Sequence, residues 1–323
     1  MTALFLTQGP ETLPSPRYRV YQLLPGLRER GINATVLSRR EVWRARPDDA
    51  DVIVVQKGIL PGLTSFWEER FARRRPVVFD LDDAIWLPRP GGNPVLRALH
   101  RESTVQRALR CAAAVIAGNS FLADYARQFN PHVSIIPSAI DLNRYSQFAI
   151  RNSQSTIGWI GSRTTLPYLK PLGPIFQELG IKPLVIAAGD PCILGFPVEF
   201  REWRLEREQA DLANISIGVA PLPDSPWERG KCGVKILQYM AMGIPVVASP
   251  VGVQSDLVQD GVTGFLARDL NDWRDRLQRL LTDPDLCAQM GAAGRLRVER
   301  EFTVEMAAKK VADVLFSVVK ARQ

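Results

Sequence analysis

The chain has 323 residues, 46% apolar and 23% charged, a composition that suits a soluble globular protein of two ordinary domains. No window approaches 18 uninterrupted apolar residues, and the start MTALFLTQGP lacks a basic leader, so neither a transmembrane helix nor a signal peptide is expected. The net charge of +7 is uneven: residues 1–150 carry 20 basic against 14 acidic residues (+6), residues 151–323 carry 21 against 20 (+1).

The basic first half, with runs such as Arg39-Arg40 and Arg73-Arg74-Arg75, either attracts anionic partners or simply decorates a solvated face. Phospholipid headgroups and phosphorylated acceptors fit the first alternative. No nucleic-acid fold signature accompanies the charge, so no nucleic-acid partner is expected. Only His100 and His132 are available, which argues against a histidine-rich metal site or a serine–histidine hydrolase. Cys111, Cys192, Cys232 and Cys287 are scattered without metal spacing, so a reducing cytoplasm is the simplest compartment.

Strand-like runs alternate with helical patterns along the whole chain, the signature of parallel α/β sheets. Strands are expected at 3–6, 34–37, 52–55, 77–79, 114–117 and 134–136, with helices at 17–30, 63–74, 95–110 and 120–129 between them. The style repeats with strands at 156–160, 183–187, 198–203, 215–219, 245–248 and 264–266. Helices at 272–281, 285–300 and 304–319 close the chain. A polar joint at 142–155 divides it into a domain over 1–145, joined by the last helix at 304–323, and a domain over 150–303. This is an α/β fold of two Rossmann-like, doubly wound sheets, with ligands expected at strand C-terminal ends across a shared cleft. The first strand is not followed by GxGxxG, so dinucleotide binding there is poorly supported. Ser15, Arg17 and Arg19 read as ordinary residues at a helix start.

The most informative stretch is ERGKCGVKILQYMAMGIPVVASPVG, residues 228–252. A helix over 233–242 places Val234, Leu237 and Ala241 at i, i+3 and i+7, Gly243 just past its end, and Pro245 before a buried strand. Lys235 and Gln238 share a face of its first turns, with Lys231, Gly230 and Gly233 just before it. A helix start offers unpaired N–H groups and partial positive charge, and lysines add point charges suited to phosphate. The blander reading makes Val234, Leu237 and Met240 core and the lysines solvated.

With GWIGS at 158–162, the 215–252 segment, VQDGVTGFLA at 258–267 and, in the first half, PSPRYRVYQLLPGLRERGI, VVFDLDDAIW, AVIAGNSFLADYA and IIPSAIDLNRY, the chain resembles the retaining GT-B glycosyltransferases of family 4, or group 1, in a bacterial branch. The resemblance implies a nucleotide-sugar donor bound mainly by the second domain and a saccharide or lipid-linked acceptor bound by the first. It also implies transfer with retention, no cofactor and no metal, in cell-surface polysaccharide or glycolipid assembly. A cytoplasmic protein is expected, with the basic half suited to the anionic inner face of the membrane.

Carried onto this chain, the family pattern puts Gly161, Ser162, Gly230, Gly233, Val234, Gln238, Gly252 and Asp256 around the donor. Lys231, Lys235 and Arg163 then face the diphosphate, while Asp82 and Asp83 lie near the sugar or acceptor. The family's two glutamates eight positions apart are replaced by Gly230 and Gln238. Gln238 can still bond a ribose hydroxyl, and Glu228 is the nearest carboxylate to stand in at the sugar. Arg163 falls one place late, and no lysine follows at the usual spacing; Lys231 and Lys235 are therefore expected to supply the missing charge. A nucleotide-binding partner without turnover and an epimerase on the same fold are the alternatives.

Overall fold

The computed structural model describes residues 1–145 and 156–322. It divides into two compact units, one of residues 1–139, 225–232 and 304–323, the other of 140–224 and 233–303. The expected joint begins with a short helix, Leu142–Tyr145, and its remainder lies outside the described residues.

The first unit holds six parallel strands, β1 (Thr2–Thr7), β2 (Asn33–Ser38), β3 (Val52–Gln56), β4 (Val77–Leu81), β5 (Ala114–Ala117) and β6 (Val133–Ile135), in the order β2-β1-β3-β4-β5-β6. β3 and β4 are buried at every position, as expected of central strands covered on both faces. One face packs Val105, Ala108, Leu109 and Leu122 against Val77 and Phe79. The other packs Leu27, Ala308, Val311 and Leu315 against Val52, Val54 and Val78. The latter contacts explain why the final helix, Val304–Lys320, belongs to the first unit although its sequence comes last.

Two stretches expected as continuous helices are broken. Residues 17–30 form Pro14–Arg19, a 3-10 turn at Tyr21–Leu23, and Leu24–Glu29. Val20 leaves helical geometry (φ −130°, ψ −68°), and Pro25 has no N–H to continue the ladder. Residues 95–110 form Pro94–Leu99 and Glu102–Cys111, with His100 and Arg101 extended between them. There the Arg101 N–H donates to the Gly62 carbonyl (2.6 Å), and His100 Nε2 bonds the Trp86 carbonyl (2.8 Å). Tertiary partners outweigh helical propensity at that point.

The second unit holds β7 (Ile157–Gly161), β8 (Leu184–Ala187), β9 (Glu199–Glu202), β10 (Ile217–Ala220), β11 (Val246–Ala248) and β12 (Gly264–Leu266), all parallel. Their order is β12-β11-β10-β7-β8-β9, so the winding reverses between β7 and β10. Trp159, Leu169, Phe176, Val219, Val247 and Leu277 lie in its core. The two closing helices of this unit are Leu270–Thr282 and Pro284–Glu301. No helix among the described residues is long and apolar enough to cross a membrane.

The Val234–Ala241 helix ends as the sequence suggests, with Gly243 left-handed at φ +68°. Gly291, within Pro284–Glu301, approaches this end so closely that a Cβ there would stand 1.9 Å from the Gly243 carbonyl oxygen. Backbone cannot yield cheaply. Gly291→Ala is expected to destabilise the protein by about 1–3 kcal/mol, read as a lowered thermal midpoint with near-native circular dichroism.

Candidate functional site

In the second unit, the winding reversal puts the carboxyl ends of β7 and β10 at the position where open α/β sheets bind ligands. β7 ends in Gly161, where a Cβ would lie 2.4 Å from the Trp159 ring and 3.0 Å from Thr165 Oγ1. Ser162 follows in a tight turn: its carbonyl accepts the Thr165 and Leu166 N–H groups (3.0 Å each), and its hydroxyl meets Thr164 Oγ1 at 2.9 Å. Arg163 is exposed, with its aliphatic stem beside Gly189.

Beyond β10, Gly233 takes φ +66° as the N-cap of Val234–Ala241, and no side chain caps that helix start. A Cβ at Gly233 would also meet Leu257 at 2.3 Å, so both conformation and packing demand glycine. Lys235 lies in the first turn with its ammonium 4.1 Å from the centroid of the fully buried Trp159 ring. Among the described residues no carboxylate pairs with it, and burial lowers its pKa to about 7. The indole Nε1 of Trp159 is itself buried without a hydrogen-bond partner. A cation on an aromatic face at a helix start that its N-cap glycine leaves without a side-chain cap has the chemistry to receive an anion.

Gln238, by contrast, faces inward. It is buried and its amide donates to Tyr145 Oη (3.3 Å); the tyrosine hydroxyl donates to Glu208 (3.1 Å), which also accepts Trp203 Nε1–H (2.9 Å). Val234 is partly buried, Gly252 turns left-handed at φ +54°, and Asp256 is exposed with its carbonyl accepting from Arg297 (2.8 Å).

In the first unit a second cluster gathers at the carboxyl ends of β1, β3 and β4. Asp80 is buried and receives Arg19 through Nε–H (3.2 Å) and Nη2. Lys57, just past β3, is the one described non-glycine residue with positive φ (+58°). Its N–H donates to the Asp80 carbonyl (2.8 Å), and its ammonium reaches Asp83 and, at 3.3 Å, Asp82. Such a conformation costs of the order of 1–3 kcal/mol and persists only where surrounding bonds demand it. Asp82 also accepts the Ser15 hydroxyl, and Ser15 in turn accepts Gln56 Nε2–H (2.8 Å).

Lys231 closes the cluster by donating to Asp83 at 2.8 Å, its ammonium 5.2 Å from the Trp227 ring centroid. The two adjacent carboxylates consequently differ. Burial raises the Asp82 pKa despite Lys57, whereas at Asp83 the same burial is outweighed by Lys57 and Lys231, which hold it at about 2.

The 225–232 segment is anchored here by backbone fit. Asn119 Nδ2–H donates to the Lys231 carbonyl (3.0 Å), and the Cys232 thiol lies 3.3 Å from the Asp82 carbonyl. A Cβ at Gly230 would stand 2.8 Å from the Ala84 nitrogen. Glycine is therefore needed at 230 for close approach, and a glutamate would not fit. Glu228 is buried and accepts the Ser225 hydroxyl.

The structure thus sorts the residues singled out from sequence into two groups. Lys231, Glu228, Gly230, Asp82 and Asp83 lie in the first unit, whereas Lys235, Gly161, Ser162, Arg163, Gly233, Val234, Gln238, Gly252 and Asp256 lie in the second. Lys231 and Lys235, expected to act alike, have opposite surroundings: one is ion-paired, and the other meets no counter-charge among the described residues. Lys57, Gln56 and Trp159 escaped the sequence reading. Nothing local marks Lys57, though the Lys-Gly step directly after a buried strand hints at a left-handed turn. Ser15 and Arg19, read as ordinary helix-start residues, turn out to bind Asp82 and Asp80.

Lys57→Met should destabilise the protein by about 3–5 kcal/mol at neutral pH, because it strands buried carboxylate charge. Asp83, with its depressed pKa, contributes stability above the usual carboxylate range and loses it as pH falls toward 2, so the deficit should shrink in acid melts. Lys235 runs the other way. Its folded pKa of about 7 lies below the unfolded value, so wild-type stability should rise between pH 7 and about 10.4. Lys235→Met should lack that rise and hold its largest advantage over wild type below pH 7, read from thermal midpoints across the range.

Residues 188–283 match the family model described as Glycosyl transferases group 1. The chain is 26% identical over 231 residues to the D-inositol 3-phosphate glycosyltransferase of Nocardia farcinica, covering 61% of this chain and 50% of that protein. It is 33% identical over 85 residues to the trehalose synthase of Pyrococcus horikoshii, covering 26% of this chain and 20% of that one. The chain spans at most about half the length of these curated relatives. Among solved structures it is similar to sucrose-phosphate synthase from Thermosynechococcus elongatus (TM-score 0.78, 17% identity, 99% of both chains). It is likewise similar to Anabaena HepE in complex with UDP and glucose (TM-score 0.72, 18% identity, 98% of this chain and 100% of that one). At such identities these structures speak for the fold, and they agree with the two parallel doubly wound sheets. Over residues 188–283 the chain thus matches the group 1 glycosyltransferase model, and as a whole it shares with these structures the GT-B fold of two Rossmann-like units.

Proposed function

We propose that the protein transfers a sugar from a nucleotide-sugar donor to a saccharide or lipid-linked acceptor, with retention at the anomeric carbon and without a resident cofactor or metal, in cell-surface polysaccharide or glycolipid assembly. The observation that carries this reading is Lys235: a cation without a counter-charge, set over Trp159 at an uncapped helix start beside the winding reversal. A departing nucleoside diphosphate gains negative charge as the glycosidic bond breaks. A preorganised cation and oriented N–H groups therefore stabilise the transition state more than the ground state. Similarity to HepE, crystallised with UDP and glucose, makes UDP the first nucleotide to test.

In the first unit, Asp82 is the group suited to an acceptor hydroxyl or sugar. Burial raises its pKa, and Ser15 and Lys57 hold its orientation. Asp83 is held ionised by two lysines and serves to place Lys231 and the 225–232 segment. Retention needs no side-chain nucleophile if the acceptor enters on the leaving-group face. The chain would work at the cytoplasmic side, where nucleotide sugars are available.

A second reading, a nucleotide binder without turnover, is favoured by Gly230 and Gln238, where the family carries glutamates. Calorimetric titration with UDP, paired with donor hydrolysis and transfer assays, separates the two. At pH 8 the diphosphate should raise the Lys235 pKa, so titration in buffers of different ionisation enthalpy should reveal close to one proton taken up, and affinity should fall as pH rises from 7 to 9. Lys235→Ala should abolish this uptake and lower donor turnover at least tenfold with the fold intact. An unchanged rate rejects the assignment, while proton-linked binding without turnover on any donor supports the second reading.

A further inference from the structure

The Pro94–Leu99 helix has no buried residue, although three of its six side chains are large and apolar. Val95, Leu96 and Leu99 are 64%, 53% and 52% exposed. A short helix in water gains most of its stability from packing an apolar face, and here none of the described residues buries those side chains. The surface does not stop at the helix. Its C-terminal end is tied to the 60–64 loop by the Arg101 N–H bond to Gly62 and by the His100 ring, which fills the space where a Gly62 Cβ would stand. That loop and the residue beginning the next helix expose Leu60, Leu63 and Phe66. Six large apolar side chains are thereby gathered on one part of the first unit. Large apolar side chains exposed on two segments tied together in this way fit an interaction site.

Charge identifies the partner. From Ala84 to Arg101 there is no acidic residue, and the exposed Arg89, Arg97 and Arg101 stand among the apolar side chains. On the loop side Glu68 is buried, accepting the Ile59 N–H (2.7 Å), and Glu69 lies 3.4 Å from Arg107. Glu102, beside Arg101, is also exposed and accepts the Tyr125 hydroxyl (2.8 Å), but with Arg89, Arg97, Arg101 and Arg107 against Glu69 and Glu102 the net charge at this surface stays positive. A twofold contact with a second copy would set arginine against arginine, because the same patch faces itself. An anionic bilayer meets both features at once: acyl chains receive the leucines and Phe66, and headgroup phosphates receive the arginines.

We propose that the first unit docks on anionic lipid bilayers through the 60–66 loop and the Pro94–Leu99 helix. Residues 84–93 connect Asp83 to the Pro94–Leu99 helix, so docking would bring a lipid-linked acceptor toward the Asp82–Asp83 cluster. That consequence rests on the function proposed above; the docking itself does not.

The test is co-sedimentation of the full chain with sucrose-loaded vesicles of phosphatidylcholine alone or of phosphatidylcholine with phosphatidylglycerol, whose negative surface potential attracts basic segments. Wild type should bind the anionic vesicles, and binding should weaken as salt rises. The exposed-site variant Leu96→Glu with Leu99→Glu should lose at least tenfold in vesicle partitioning with an unchanged thermal midpoint. A second variant, Arg97→Ala with Arg101→Ala, should lose binding to anionic vesicles specifically. Absence of wild-type binding to either composition overturns the proposal, as does equal binding by the double-glutamate variant. A doubled solution mass abolished by the same variant, without vesicle binding, assigns the patch to a second copy and overturns it as well. The readout requires no transfer activity, so an inactive protein that still binds vesicles would undermine the proposed function alone.

Discussion

Three carboxylates stand at the end of one central strand, and the first unit is organised around neutralising them. Asp80 lies within β4 and is buried, as is Asp82 just beyond it, with Asp83 partly buried beside them, and unpaired buried charge costs several kcal/mol. Arg19 answers the first, Lys57 reaches the second and third, and Lys231 completes the third. Each cation comes from a different part of the chain, so this one requirement positions the first helix, the left-handed turn after β3 and the 225–232 segment together. That segment follows β10 in sequence yet groups with the first unit, and the Asp83–Lys231 pair with the Gly230 approach to Ala84 accounts for it.

The second unit inverts this logic. Its notable cation has no carboxylate to answer it. Burial against Trp159 lowers the Lys235 pKa to about 7, and the start of its helix is left without a side-chain cap. Natural folds seldom leave such a group uncompensated, and perturbed titration of this kind is enriched at functional sites. Lys231, whose charge is spent on Asp83, and Lys235, which among the described residues meets no carboxylate, thus differ in what they could offer a ligand.

Much of this was legible in the linear sequence. Alternating apolar runs and helical periods announced two doubly wound parallel sheets, and every expected strand is present within a residue or two at each end. The 215–267 stretch carried the family resemblance, and Gly243 and Pro245 marked a helix stop correctly. The failures share a cause. Helices expected over 17–30 and 95–110 break because Val20 and the His100–Arg101 pair answer to tertiary constraints that periodicity does not contain. Lys57 and Trp159 were invisible because isolated residue types carry no local signal of φ or of what a ring supports.

What the sequence alone determined is the architecture: hydrophobic period and turn chemistry are local properties, and they dictate which elements form and which faces they bury. Tertiary structure decided the roles. Whether a lysine is paired or available, whether a glutamine faces a ligand or a tyrosine, and whether a glycine opens space or is squeezed by a neighbouring backbone depend on atoms far apart along the chain. Charge and exclusion act through space, so only the folded molecule could tell Lys231 from Lys235.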